Sequence, residues 1–263
     1  MKKPRILILD VETAPNKGYI WSLWNEVRSM SFIEKDWFIM CWSAKWLGEN
    51  KIYSSSIADF KEYKTNPEND KKLMEGLWEL LDQADIVIAH NGIRFDKRRI
   101  QARFIYHRIK IPSPYRMIDT LPIARYEFCF TSNKLNDIAQ FLGVGRKNDT
   151  NGFQLWKDCL ENKNKSAWYK MKKYNQQDVV LLERVYLVMR PFIRNHPNIG
   201  VMIDEEKTCC PKCGSDKIHY RGYTYTNSSV FHQFSCTNCG GWGRDRTNCL
   251  DKNRRKSLAT NVL

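Results

Sequence analysis

The stretch that most constrains this chain is an apolar run ending in two acids, Ile6-Leu7-Ile8-Leu9-Asp10-Val11-Glu12-Thr13. Six of its eight residues are apolar or β-branched, the composition of a buried strand. Asp10 and Glu12 are two residues apart, so on a strand both side chains leave the same face. Burial disfavours ionisation and the two charges repel, so an apolar strand gains nothing from the pair. A bound divalent cation reverses that penalty. The remaining question is whether other segments supply further ligands.

The chain has 263 residues, of which 42% are hydrophobic, enough for one substantial core and a small appendage. Charged residues make up 27%, which argues against wholesale disorder. The formal net charge is +14. A basic surface around a local acid cluster points to a polyanionic partner, while the plainer alternative is lysine-assisted solubility. The apolar run after Met1-Lys2-Lys3 stops at Asp10, too short for a secretion signal, and no stretch approaches a membrane span. No membrane association is therefore expected. Nine cysteines are present, four of them in two Cys-x-x-Cys pairs. That pattern favours zinc over disulfides, and a reducing, cytoplasmic setting (a host cell's cytoplasm for a viral chain).

Alternating strand and helix signals predict an α/β domain with a mixed sheet over 1–203. Strands are expected at 5–12, Trp37–Trp46, Lys51–Ile57, Asp85–His90 and Met117–Thr120. A helix after Pro67 carries Leu73, Leu77, Leu80 and Leu81 on one face. Another over Phe95–Ile109 turns Ile100, Phe104 and Ile105 inward, and short and long helices follow at Lys134–Leu142 and Ser166–Met189. Trp37, Trp42 and Trp46 read as sheet packing rather than a base-stacking platform. Asp119 or Thr120 reads as a helix N-cap.

Two further acids join the first pair. Asp96 follows a buried strand and the Asn91-Gly92 turn, and it shares a helix face with Ile100. Its plainer role is pairing with the helix dipole. In the long helix, Ala167, Met171, Tyr174, Asp178, Leu181, Val185 and Val188 form one inward stripe. Asp178 therefore faces the interior, where an unpaired charge costs several kcal/mol by order of magnitude. Tyr174 sits one turn before it on the same face. A structural salt bridge to a buried Arg is the alternative reading of Asp178.

Asp10-Val11-Glu12-Thr13, Asn91 through Asp96, and Tyr174-Asn175-Gln176-Gln177-Asp178 resemble, in order, the three motifs of DEDDy-type 3′–5′ exonucleases of the ribonuclease-H-like superfamily. Lys134-Leu135-Asn136-Asp137-Ile138-Ala139 is similar to stand-alone phage and bacterial members. The resemblance implies a ribonuclease-H-like fold and a two-metal phosphodiester hydrolase, with DNA the favoured substrate and 5′-mononucleotides the product. RNA-directed or structure-specific cleavage on the same fold, or binding without catalysis, are the alternatives. By resemblance, Asp10, Glu12 and Asp178 would hold the Mg²⁺ or Mn²⁺ that carries the attacking water. Asp10 would bridge to a second ion, supported by Asp96, and Tyr174 would orient the water. Single-stranded nucleic acid or 3′ ends would be the partner. His90, Asn91 and Lys147 are candidate substrate contacts, with a backbone-satisfied histidine and a solvated lysine as plainer readings. Leu23 or Trp24 are candidate wedges against a terminal base.

Beyond a polar linker at Asp204-Glu205-Glu206-Lys207, a module over 204–250 carries Cys210-Pro211-Lys212-Cys213-Gly214 and Cys236-Thr237-Asn238-Cys239-Gly240. Two such pairs fit one tetrahedral zinc, and each following glycine permits a tight turn. With β-rich segments at Ile218–Tyr225 and Val230–Ser235, the module looks like a zinc ribbon held by one structural Zn²⁺. Cys209 and Cys249 read as spare thiols, with His219 or His232 as alternative ligands. Its tyrosines and arginines suit nucleic acid, and docking to a replication or repair protein is the other reading. A flexible basic tail is expected over 251–263.

Overall fold

The computed structural model describes residues 3–20, 29–147, 152–162, 164–203 and 207–260. Leu23, Trp24 and most of the 204–207 linker lie outside these residues. Two compact units divide the chain, Arg5–Tyr186 and a second formed mainly by Leu187–Leu263. Residues 187–203 thus group with the cysteine-bearing segment.

In the first unit, β1 (Ile6–Thr13) is followed by a short ladder of β2 (Lys17–Gly18) with β3 (Ile33–Lys35). Next come β4 (Ile39–Trp46), β5 (Ile52–Ser56), α1 (Lys71–Leu81), β6 (Ile86–Ala89) and α2 (Asp96–Tyr106). The unit continues with β7 (Arg116–Asp119), α3 (Thr120–Glu127), α4 (Leu135–Phe141), α5 (Gln154–Leu160) and α6 (Lys165–Met189). The main sheet runs β5-β4-β1-β6-β7. β4 is antiparallel to β1 and β5, while β6 and β7 run parallel to β1. It is the mixed sheet flanked by helices that the strand and helix signals predict.

Strand alternation sorts the residues of β1. Leu7, Leu9 and Val11 enter a hydrophobic cluster with Trp42, Leu73, Leu77, Ile100 and Phe104. Ile8, Asp10 and Glu12 therefore share the opposite face. The helix after Pro67 buries all its expected leucines, and Trp42 and Trp46 are core residues. Asp70, fully buried, accepts from Arg103, His107 and the Ile39 amide, tying α1, α2 and β4 together.

Two inward assignments fail. Ile105 is 79% exposed, because it lies five residues past Ile100 and so about 140° around the helix. Val188 is 42% exposed, while Leu182, Tyr186 and Met189 are buried instead. A stripe of alternating four and three steps averages 3.5 residues and drifts around a 3.6-residue helix, so its far end leaves the buried face.

The second unit carries an antiparallel sheet, β10-β9-β8, from β8 (Ile218–Tyr225), β9 (Val230–Cys236) and β10 (Trp242–Arg244). A short helix α7 (Lys252–Lys256) follows, capped by Asp251, which accepts from the Arg254 amide at 2.7 Å. The segment expected to be a flexible basic tail begins with this capped helical turn.

Candidate active site

β1 delivers Asp10 and Glu12 to the face on which α6 packs, and α6 delivers Asp178. One carboxylate oxygen from each of the three lies within 4.8 Å of the others. Asp178 is buried and Oδ1 has no hydrogen-bond partner, whereas Asp10 and Glu12 are half-buried. Burial is the largest cause pushing all three carboxyls above their ordinary range, and mutual repulsion adds to it at Asp10 and Glu12. Glu12 is pushed up to about 8. An acid cluster with an orphaned buried oxygen and raised proton affinity suits a hard divalent cation on oxygen ligands.

Asp96, at the start of α2, is buried and accepts from the Val11 amide at 3.2 Å. It is not among the three converging acids, but its charge adds to the upward push on Asp10. Burial raises Asp96 itself to about 7.

Tyr174 stands one helical turn before Asp178 as the stripe predicts. Its phenol is pushed up to about 12, first by burial and then by Asp178. Lys147 Nζ donates to Asp178 Oδ2 at 2.6 Å and to the Tyr174 hydroxyl at 3.1 Å. Lys147 is therefore partly buried, and it is the counter-charge of the cluster. Asp178 does have an ionic partner, but a lysine from the loop after α4 and not a buried arginine. The backbone amide of Lys147 is anchored by Asn136 Oδ1 at 2.7 Å.

The two other substrate candidates, His90 and Asn91, follow the end of β6. His90 Nδ1 lies 2.9 Å from Thr120 Oγ1 and Nε2 lies 3.0 Å from the Asn133 carbonyl, so both ring nitrogens are engaged internally. Asn91 takes a left-handed turn at φ 67°, its amide donating to Asp119 Oδ1 at 2.8 Å. Asp119 also accepts from the Ile93 and Leu121 amides, so the expected N-cap doubles as the clasp of the β6–α2 turn.

A model of the RNase_H superfamily matches residues 46–190, more than half of the chain. The chain belongs to the RNase_H superfamily. Asp96, Lys147, Tyr174 and Asp178 lie inside the matched span, and Asp10 and Glu12 precede it. The family B DNA polymerase from the hyperthermophilic archaeon Pyrobaculum calidifontis shares the fold, with a TM-score of 0.52 at 11% identity over 72% of this chain. That similarity spans 25% of the polymerase's length. No curated protein matches in sequence.

Three members of this RNase_H-superfamily site carry no obvious sequence signal. Asn175 is fully buried and donates to Asp10 Oδ2 at 2.6 Å. Trp156 packs edge-on against Tyr174 with centroids 6.3 Å apart, and its Nε1 donates to the Thr13 carbonyl. Arg99 stacks on Trp37 and Phe95, and Nη1 is buried without a partner. Glu12, Trp37, Phe95, Arg99, Phe153 and Trp156 all line a cavity of about 340 Å³. Trp156 lies on α5, a helix too short for its periodicity to register.

In the second unit, Cys210, Cys213, Cys236 and Cys239 bring their sulfurs within 4.8 Å of one another. Cys210–Cys239 and Cys213–Cys236 each approach to 3.6 Å. Thiolates on one tetrahedral zinc, with bonds of about 2.3 Å, sit roughly 3.8 Å apart. Gly214 and Gly240, after the two pairs, have φ of 71° and 75°, the left-handed turn expected of them. The tetrathiolate fits a small zinc ribbon, and neither Cys209, Cys249 nor either histidine belongs to it among the described residues.

Proposed function

We propose that this protein is a metal-dependent 3′–5′ exonuclease of the DEDDy type, acting on single-stranded DNA in preference to other nucleic acid. The observation that carries the reading is the convergence of Asp10, Glu12 and Asp178 within 4.8 Å. Those three residues would hold Mg²⁺ or Mn²⁺, with Asp96 behind Asp10. Ions bound there lower the pKa of water and offset negative charge at the phosphate, the chemistry of two-metal hydrolysis. The chain's own groups have separate tasks. Asn175 fixes the orientation of Asp10. Tyr174 keeps its proton at neutral pH, since its phenol titrates near 12, so it orients water by a hydrogen bond rather than accepting a proton. Lys147 balances Asp178 and is within reach of a phosphate that approaches the cluster. The aromatic cavity beside Glu12 has the walls and the guanidinium to take a terminal nucleotide. The four cysteines would hold one structural Zn²⁺.

The test is incubation of the full chain with 5′-labelled single-stranded DNA and RNA, with and without Mg²⁺. Fragments should shorten progressively from the 3′ end, DNA faster than RNA, releasing 5′-mononucleotides. Asp178→Ala should abolish metal-dependent cleavage and leave the circular dichroism spectrum unchanged. Near-normal cleavage by that variant removes Asp178 from the site, and internal cuts in place of a 3′ ladder discard the exonuclease reading.

A further inference from the structure

We infer that the sheet of the second unit is a separate binding platform for single-stranded nucleic acid, on which unpaired bases stack against Tyr220, Tyr223 and Tyr225. In a regular strand Tyr220 and Tyr223 would point to opposite faces. The register here is irregular: Tyr220 pairs with Phe234, Tyr223 with His232 and Tyr225 with Val230. Phe234, His232 and Val230 alternate along β9 and share one face. The bulge at Arg221-Gly222, where Gly222 has φ 68°, resets the phase of β8 and brings all three tyrosines onto that face.

The row is built but not buried. Tyr220 packs edge-on against Phe234 at 5.8 Å, and Tyr223 lies over His232 at 4.8 Å. Phe234, on the same face, is 1% exposed, yet Tyr220, Tyr223 and Tyr225 are 47%, 49% and 71% exposed. An exposed aromatic row backed by a rigid sheet is the form a stacking platform takes.

Charge selects the partner. Residues 207–260 contain ten Lys and Arg against three Asp and Glu. Arg221 lies over the Trp242 ring and Arg244 over Phe231, which puts both guanidinium groups on the opposite face of the sheet from the tyrosines. Tyrosine faces on so basic a module suit a strand whose bases are open and whose phosphates are anionic. A duplex offers the phosphates but keeps its bases stacked on one another. The platform is distinct from the acid cluster and stands whether or not that cluster hydrolyses anything.

The experiment is fluorescence anisotropy with the full-length, zinc-loaded chain and no added Mg²⁺ or Mn²⁺, so that hydrolysis plays no part. Labelled oligothymidylate of about 20 nucleotides and a duplex of equal length are the probes. Tyr223→Ala/Tyr225→Ala should weaken binding to the single strand by about tenfold or more and leave duplex binding unchanged. Tyr223→Phe/Tyr225→Phe should bind like the parent, because stacking needs the ring and not the hydroxyl. Tyr169→Ala, an exposed tyrosine of the first unit, should also bind like the parent. Zinc content and a thermal melt establish that the alanine variant is folded; if it is not, Tyr223→Leu/Tyr225→Leu replaces it, with the same loss expected. Unchanged single-strand affinity in a folded variant overturns the proposal, as does equal loss for single strand and duplex. The Asp178→Ala cleavage assay fails or succeeds independently of all these outcomes.

Discussion

Burial, with mutual repulsion added at Asp10 and Glu12, raises the proton affinity of the carboxyls, and Asp10, Glu12, Asp96 and Asp178 all lie above their ordinary values. Glu12 at about 8 and Asp96 at about 7 mean that the folded protein holds protons the unfolded chain has already released. Stability from this cluster is therefore complete below the unfolded carboxylate pKa, about 4, and is lost as pH rises through about 7 to 8. Without added Mg²⁺ or Mn²⁺, the melting temperature should fall across that window, and saturating Mn²⁺ should restore it most at the upper end. Asp10→Asn/Glu12→Gln should flatten both trends. A metal-induced shift that does not grow with pH would contradict the assignment. Tyr174→Phe keeps the ring against Trp156 but loses the hydroxyl. It should slow turnover by about tenfold without unfolding the protein, measured as kcat on a 3′-labelled strand. An unchanged rate discards the positioning role.

At the level of elements, the site depends on how closely α2 follows β6. A Cβ on Gly92 would lie 2.4 Å from the Ala89 Cβ, which is rigidly held in β6, and 2.7 Å from the Cε at the flexible end of Met117. Gly92→Ala should therefore cost about 1–3 kcal/mol, seen as a lowered denaturation midpoint, and an unchanged midpoint would show that the turn has slack. Helices with long apolar stripes, such as α1 and most of α6, are readable from sequence because their burial follows one period. α5 is not, since only Leu155 and Cys159 of its seven residues are buried. α7 is held by one Asp251 cap rather than by packing, so composition alone reads it as tail.

For the molecule as a whole, the two compact units differ in what stabilises them. The first buries an extensive cluster across both strands and helices. The second has few large buried apolar side chains, among them Ile193, Ile199, Phe231 and Phe234. A zinc ion on the four thiols would be the main tie between the two cysteine turns and the sheet. Chelating zinc, or replacing Cys213 and Cys236 by Ser, should unfold the 207–250 region while the first unit keeps its own melting transition. Limited proteolysis would reveal this as cleavage confined to that region. Loss of both transitions on chelation would mean that the units do not fold separately. No helix among the described residues is long and apolar enough to cross a membrane.

The alternation of Ile8, Asp10 and Glu12, the stripe through Tyr174 and Asp178, and the spacing of the four cysteines were determined by the sequence alone. Each is a local periodicity, and a strand, helix or cysteine turn converts it directly into direction in space. The sequence could not say that Lys147 pairs with Asp178, that Asn175 holds Asp10, or that both nitrogens of His90 are engaged by the fold. Those partners are 31, 165 and up to 43 residues apart. No local periodicity spans such separations; only the packing of α6 and the 145–147 loop against the sheet decides which polar groups meet.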